Sequence, residues 1–133
     1  MFIEDFKKEV GQEIKIAADL LKKGSPQGYE HLRNTLAHAV FFAREDKPIF
    51  FLQHVLGPMR PDVIATIGEN NKDALVEIGR KLDSVVEALN KDDVDTIVAL
   101  VFEIGLFIEQ QWRNALTSPS SKIKNPLFMI GHG

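Results

Sequence analysis

The sequence predicts an all-α fold, an antiparallel bundle of about five helices in one domain over residues 1–116. Apolar residues recur at steps of three and four along most of the 133-residue chain, the spacing of one helix face. Stretches with Gly or Pro separate these segments at 24–26, 46–48 and 57–61. Hydrophobic residues make up 44% and charged residues 26%, a composition typical of a globular domain.

Composition also limits the function classes. A formal charge of −3 argues against a protein that coats nucleic acid, which would carry a basic excess. The absence of cysteine excludes a disulfide framework, thiol catalysis and Cys-ligated metal. No segment approaches the ~20 apolar residues of a membrane span, and the N-terminus lacks a signal-peptide pattern. We therefore expect a cytoplasmic protein with no membrane partner.

The first two helices are predicted over residues 3–23 and 26–45. Gly24 suits the position just past a helix end, and Pro26 suits the start of the next helix. Pro48 ends the second helix, because proline disfavours helical backbone at the residue before it.

The third and fourth helices are predicted over residues 48–56 and 62–90. The third segment is short and dense in apolar residues, so a strand competes with the helix; the lack of any pairing strand favours the helix. The fourth has a near-heptad apolar stripe over residues 75–89, and residues 68–71 interrupt its earlier part, where a kink or a break is expected.

The fifth helix is predicted over residues 93–116, followed by a tail over 117–133. Its segment 97–108 carries a single charge, Glu103. A helix that is apolar nearly all round must be covered on more than one side, most simply by a second subunit. We therefore expect a homodimer that forms through the last two long helices, and we expect those helices to cross near Gly79 and Gly105.

The search for catalytic chemistry finds little. His31 and His38 lie two turns apart, and no His has the Glu-x-x-His or His-x-x-x-His spacing of helical metal sites. A Ser-His-Asp pattern and a Gly-rich phosphate loop are absent. The sequence therefore predicts no enzyme, no cofactor and no metal. Residues 30–36 resemble the histidine-kinase box only faintly, which keeps a histidine phosphotransfer bundle as an alternative.

Aromatic residues are the best candidates for a binding site. An apolar cavity with a few polar groups is the usual form of a small-molecule site. Glu103 lies in an apolar helix, so it must form an ion pair, reach a polar edge or face a ligand. The predicted ligand-binding residues are Phe41, Phe50, Phe51, His54, Met59, Phe102, Glu103 and Trp112.

The order of features resembles one family. Gly24-Ser25-Pro26 precedes a helix with the sequence LRNTL at 32–36; REDKPIFFL at 44–52, an acidic turn at 91–95 and the apolar IGL at 104–106 follow. Over about residues 2–116 this resembles the C-terminal effector-binding and dimerisation domain of TetR-type transcriptional regulators, without their helix-turn-helix.

The resemblance implies a non-enzymatic dimer, built as a four-helix bundle of the last two helices with their mates, and a cavity for a hydrophobic or aromatic effector. DNA would be contacted only through a missing N-terminal domain. A non-catalytic helical interaction scaffold is the remaining alternative.

Overall fold

The computed structural model describes residues 2–42 and 46–117, with side chains described for 7–39 and 46–117. These ranges contain helices only, so the predicted all-α fold is confirmed. The six helices are α1 (Phe2–Lys22), α2 (Gln27–Phe42), α3 (Lys47–Leu56), α4 (Pro61–Asn70), α5 (Lys72–Asn90) and α6 (Val94–Thr117). The predicted tail, apart from Thr117, lies outside the described residues.

The turn between α1 and α2 follows from its glycine. Gly24 has φ +84°, a left-handed conformation that costs glycine little. Its backbone N–H donates to Leu21 O at 2.9 Å, and the N–H of Ser25 donates to Leu20 O at 3.0 Å. These bonds satisfy carbonyls at the end of α1, so the chain can reverse there as the sequence predicts.

The short apolar segment after residue 46 is helical, as predicted. Asp46 caps α3 by accepting a hydrogen bond from the Ile49 N–H at 3.1 Å, and Pro48 occupies the first turn. Two side chains of α2 satisfy carbonyls at the other end. The Tyr29 hydroxyl donates to Leu56 O at 2.6 Å, and Arg33 Nε donates to Gly57 O at 2.9 Å.

The helix predicted over 62–90 is two helices, because the chain breaks at Asn71, within the segment 68–71 where a kink or a break is expected. Asn71 has extended backbone, with φ −152° and ψ 98°, and its side chain accepts a hydrogen bond from Asp73 N–H at 3.2 Å. An asparagine that caps a new helix ends the previous one, so α4 and α5 are separate. The described residues thus hold six helices where about five are predicted.

Close packing joins α1 to α5. An added Cβ at Gly79 would lie 2.7 Å from Ala18 O, so glycine lets the two backbones approach. Gly105 faces Val55 of α3 instead. The expected crossing of the last two long helices near Gly79 and Gly105 is therefore wrong. The heptad-like stripe of α5 is buried within the chain: Leu75, Ile78, Leu82, Val85 and Leu89.

One lysine ties three segments together at the other end of α1. Lys7 Nζ lies 2.9 Å from Asp46 at the start of α3 and 3.0 Å from Asp92 in the turn before α6. The hydrogen bond to Asp46 raises the pKa of Lys7. Asp93 caps α6, since it accepts a hydrogen bond from the Thr96 N–H at 3.2 Å. Its hydrogen bond with the Thr96 hydroxyl contributes most to lowering the pKa of Asp93.

Candidate aromatic site

Four of the predicted site residues meet in one group, which we call the aromatic cluster: Phe50, Phe51, His54 and Phe102. The Phe50 and His54 rings stack, with centroids 5.6 Å apart and planes at 11°. Phe51 meets Phe50 edge-on at 6.2 Å and Phe102 at 5.9 Å. These separations are those of favourable aromatic pairs, so the cluster connects α3 to α6.

Helical spacing places the cluster. On α3, Ile49, Leu52 and Leu56 point into the core and are fully buried. Phe50 and His54 are one turn apart on the outer face, which brings their rings together. Phe50 is 45% exposed and Phe102 is 48% exposed, so the cluster opens to solvent.

Glu103 adopts the ion-pair alternative of the three considered. Its Oε2 accepts a hydrogen bond from Lys81 Nζ of α5 at 3.2 Å. The Lys81 ammonium also lies 5.5 Å from the centroid of the Phe107 ring and 3.7 Å from Glu77. The Glu103 side chain is 57% exposed, so the pair is a surface contact of modest energy. A ligand role for Glu103 stays a prediction.

Met59 and Trp112, two more of the predicted residues, are not members of the cluster. Met59 and Trp112 are partly buried and pack against the hydrophobic core. Trp112 is ten residues after Phe102, about 15 Å along the axis of α6, so its ring belongs to another part of the helix. The side chain of Phe41 lies outside the described residues.

The histidines of α2 have ordinary surroundings. His31 Nε2 lies 3.1 Å from Glu13 Oε2 of α1, and His38 is exposed. Among the described residues no group of three or more His, Asp or Glu side chains could hold a metal ion. The phosphotransfer alternative therefore stays a prediction without a special environment for either ring.

The exposed face of α6 is a feature of which the predicted site included only Phe102. Its stripe, here called the α6 stripe, has steps of four, three, four, three and four and is exposed throughout: Asp95, Ala99, Phe102, Leu106, Glu109 and Arg113. Leu106 is 67% exposed, the largest value among the exposed large apolar side chains described. The opposite face is buried, and the heptad spacing of the exposed residues was the available signal.

A separate cleft lies between the α1–α2 turn and the α4–α5 junction. It has a volume of about 410 Å³ and is lined by Gly24, Pro26, Ala65, Gly68, Glu69, Lys72 and Leu75. None of the predicted ligand-binding residues lines it, so the cleft is distinct from the aromatic cluster.

Comparison with known proteins adds no relative. The chain matches no family model, no curated protein and no solved structure. The resemblance to TetR-type effector domains therefore stays a prediction from the sequence pattern. None of the described helices combines the length and apolarity needed to cross a bilayer.

Proposed function

We propose that this domain is a non-enzymatic, small-molecule-sensing and dimerisation domain of a transcriptional regulator, which contacts DNA only through a separate DNA-binding domain. One observation carries the sensing part: the rings of α3 and α6 contact each other, while Phe50 and Phe102 remain about half exposed. Large aromatic side chains left in water are typical of sites that another molecule covers.

The chemistry of the cluster favours a planar aromatic or amphipathic effector. Ring faces and edges of three Phe side chains supply apolar contact, and burial contributes about 25 cal/mol per Å² of apolar surface. His54 supplies a polar group, since its imidazole can donate or accept a hydrogen bond. A compound with one aromatic ring system and one polar substituent matches this combination.

The cluster also suggests how binding could be transmitted. Phe51 of α3 and Phe102 of α6 are in contact, so a ligand on the cluster contacts two helices at once. A ligand that binds one spacing of α3 and α6 better than another shifts the population toward that spacing. A change in α6 would then alter the arrangement of two subunits and of the domains attached to them.

Thermal unfolding with a panel of naphthoic, indole-carboxylic and anilinonaphthalene compounds tests the proposal. A compound present at 100 times its Kd stabilises the folded state by about 2.7 kcal/mol. The stabilisation should be lost in Phe51→Ala, because that change removes the central ring. Ile16→Ala is the matched control, since Ile16 is 47% exposed and lies on α1, which contributes no residue to the cluster.

Two outcomes would contradict the effector site. Equal stabilisation of the wild type and Phe51→Ala would place the compound elsewhere, for example in the cleft between the α1–α2 turn and the α4–α5 junction. The absence of any stabilising compound would favour the second candidate, a non-catalytic interaction scaffold. The exposure of Phe50 and Phe102 favours that candidate as well, because partners also cover aromatic surfaces.

A further inference from the structure

The structure assigns the α6 stripe as a homodimer interface: we infer that α6 pairs antiparallel with α6 of a second copy, around a two-fold axis at the level of Ile104. The inference deepens the dimerisation part of the proposed function and does not require effector binding. The sequence predicts an interface formed by the last two long helices. The proposed interface differs, because the helix beside the exposed apolar residues of α6 is α3 and not α5.

The distribution of buried residues on α5 supports this choice. The large exposed apolar side chains of the described residues are Ile16, Phe50, Phe102 and Leu106, and none is on α5. The apolar stripe of α5 is already covered within the chain. The face available to a second copy therefore consists of the α6 stripe with the outer side of α3 beside it.

The order of residues along the α6 stripe is nearly symmetric in chemistry. Phe102 and Leu106 lie two residues before and after Ile104, while Asp95 and Arg113 lie nine residues before and after it. In an antiparallel pair each residue faces the one equally far beyond the axis. Phe102 then meets Leu106 of the second copy, and Asp95 meets Arg113 of the second copy, each contact occurring twice.

Charge disfavours the opposite orientation. In a parallel pair Asp95 would face Asp95 and Glu109 would face Glu109, which places like charges together. In the antiparallel pair Asp95 gains a cation, because Arg113 is 68% exposed and can reach across from its bond with Glu109 at 2.6 Å. Asp95 and Arg113 therefore lie at the ends of the stripe, about 13 Å from its apolar centre, while Glu109 lies about 8 Å from that centre.

α3 extends the same face. Phe51 lies beside Phe102 and Val55 lies beside Gly105, so the outer residues of α3 are level with the two-fold axis. The axis places both copies of α3 on one side of the paired α6 helices. Phe50 and His54 are not on the α6 stripe, so their rings stay open to an effector beside the paired helices.

Cysteine cross-linking tests the pairing directly, since the chain has no cysteine. Ala99 faces Glu109 of the second copy, so Ala99→Cys with Glu109→Cys should form a dimer of twice the chain mass under mild oxidation. The two positions are about 15 Å apart within one chain, too far for an internal disulfide. Ala99→Cys alone should stay uncross-linked, and its cross-linking would overturn the antiparallel pairing.

Substitutions without oxidation give a second measurement. Leu106→Glu should raise the Kd of the dimer, measured by sedimentation, about tenfold or more, because two carboxylates enter the apolar centre. Its helical circular dichroism should be unchanged, since Leu106 is 67% exposed. Ile16→Glu is the matched control and should dimerise as the wild type does. A wild-type chain that remains monomeric at 100 µM would overturn the inference.

Charge exchange tests the register. Asp95→Arg alone and Arg113→Asp alone should each weaken the dimer, and the double variant should restore it. Failure of restoration would overturn the facing of Asp95 and Arg113. A protein that passes these tests but binds no aromatic compound would leave the dimer standing and contradict only the effector site.

Discussion

The contact of α1 with α5 and the contact of α3 with α6 are both apolar, yet their edges differ in exposure to solvent. At the first, Gly79 brings the backbones together, and Lys15 and Lys22 close the edge by contacting Asp83. At the second, the side chains of Phe50 and Phe102 remain about half exposed. One contact is sealed within the chain, and the other leaves apolar surface at its edge.

The difference shows which apolar residues serve folding and which are available to a partner. Apolar content does not distinguish the two contacts, because α5 and α6 both carry apolar stripes. Backbone approach and bordering charges do distinguish them: an added Cβ at Gly79 would meet the backbone of α1, whereas one at Gly105 would meet only a side chain of α3. The contrast can be tested by loosening one contact and then the other.

The largest difference in the free energy of unfolding is expected between Gly79→Ala and Gly105→Ala. At position 79 a Cβ would lie 2.7 Å from the Ala18 carbonyl oxygen and 3.1 Å from the Lys22 backbone nitrogen, and neither can move without shifting α1. We expect a loss of about 2 kcal/mol, because overpacking costs about 1–3 kcal/mol or more and alanine recovers at most ~1 kcal/mol of helix propensity. Urea unfolding gives the free energies.

Gly105→Ala is the matched variant in the open contact. Its Cβ would meet only Val55 Cγ1, at 3.0 Å. A shift of one side chain costs little, so the expected change is within about 1 kcal/mol of zero. If both variants lost equal stability, the proposed difference between the two contacts would be wrong.

Tyr29→Phe probes the attachment of α2 to α3 and should have an intermediate effect. The Tyr29 hydroxyl is buried and donates to Leu56 O at 2.6 Å. Its removal should cost about 1–1.5 kcal/mol near neutral pH, the usual net value of a buried hydrogen bond. A change below the error of urea unfolding would show that the bond contributes nothing.

The same variant has a predicted pH dependence. Burial raises the pKa of Tyr29 above its ordinary value of 10.0, so the folded state holds the proton more tightly than the unfolded state. Stability from this group is complete below pH 10 and is lost as pH rises above it. The advantage of the wild type over Tyr29→Phe should therefore shrink as the pH is raised from 9 to 11.

The wild type has to be compared with Tyr29→Phe, because the ionisation of lysines also changes stability in this pH range. Hydrogen bonds to carboxylates raise the pKa values of Lys7 and Lys15, so their contributions also decline at alkaline pH. Both remain in Tyr29→Phe, and subtraction isolates the hydroxyl. An unchanged difference from pH 9 to pH 11 would contradict the raised pKa of Tyr29.

The helices were largely predictable, because local chemistry sets them. Gly24 ends α1, and a proline in its first turn begins α3, as their backbone preferences require. The break at Asn71 was predictable only in part, since the residues around it interrupt the apolar stripe of the predicted helix 62–90 but fit either a kink or a helix cap. Its own side-chain bond to Asp73 N–H decides for the cap.

The site was predictable in part for a different reason. Helical spacing brings Phe50, Phe51 and His54 near one another, and tertiary packing happens to add Phe102. Which helix faces which is a property of the whole chain, so the partners of Gly79 and Gly105 were misassigned. The spacing of the α6 stripe is present in the sequence, but only the packing of the chain shows which face of this apolar helix is buried and which is exposed.

The smallest expected effect concerns the charged edge of the sealed contact. Asp83 Oδ1 lies 2.9 Å from Lys15 Nζ, and its other oxygen contacts Lys22. Asp83→Asn keeps the shape and removes the charge, so we expect a loss smaller than that of Tyr29→Phe, since exposed ion pairs contribute little. The loss should shrink further as salt is raised, because salt screens exposed charges.

The pKa of Lys15, which the hydrogen bond to Asp83 raises, should fall in the variant when followed by NMR. Glu103→Gln is the matched change on α6, where Lys81 of α5 donates to Glu103 at 3.2 Å. A loss in Asp83→Asn that exceeded that of Gly79→Ala would show that charge, and not close backbone packing, seals α1 against α5.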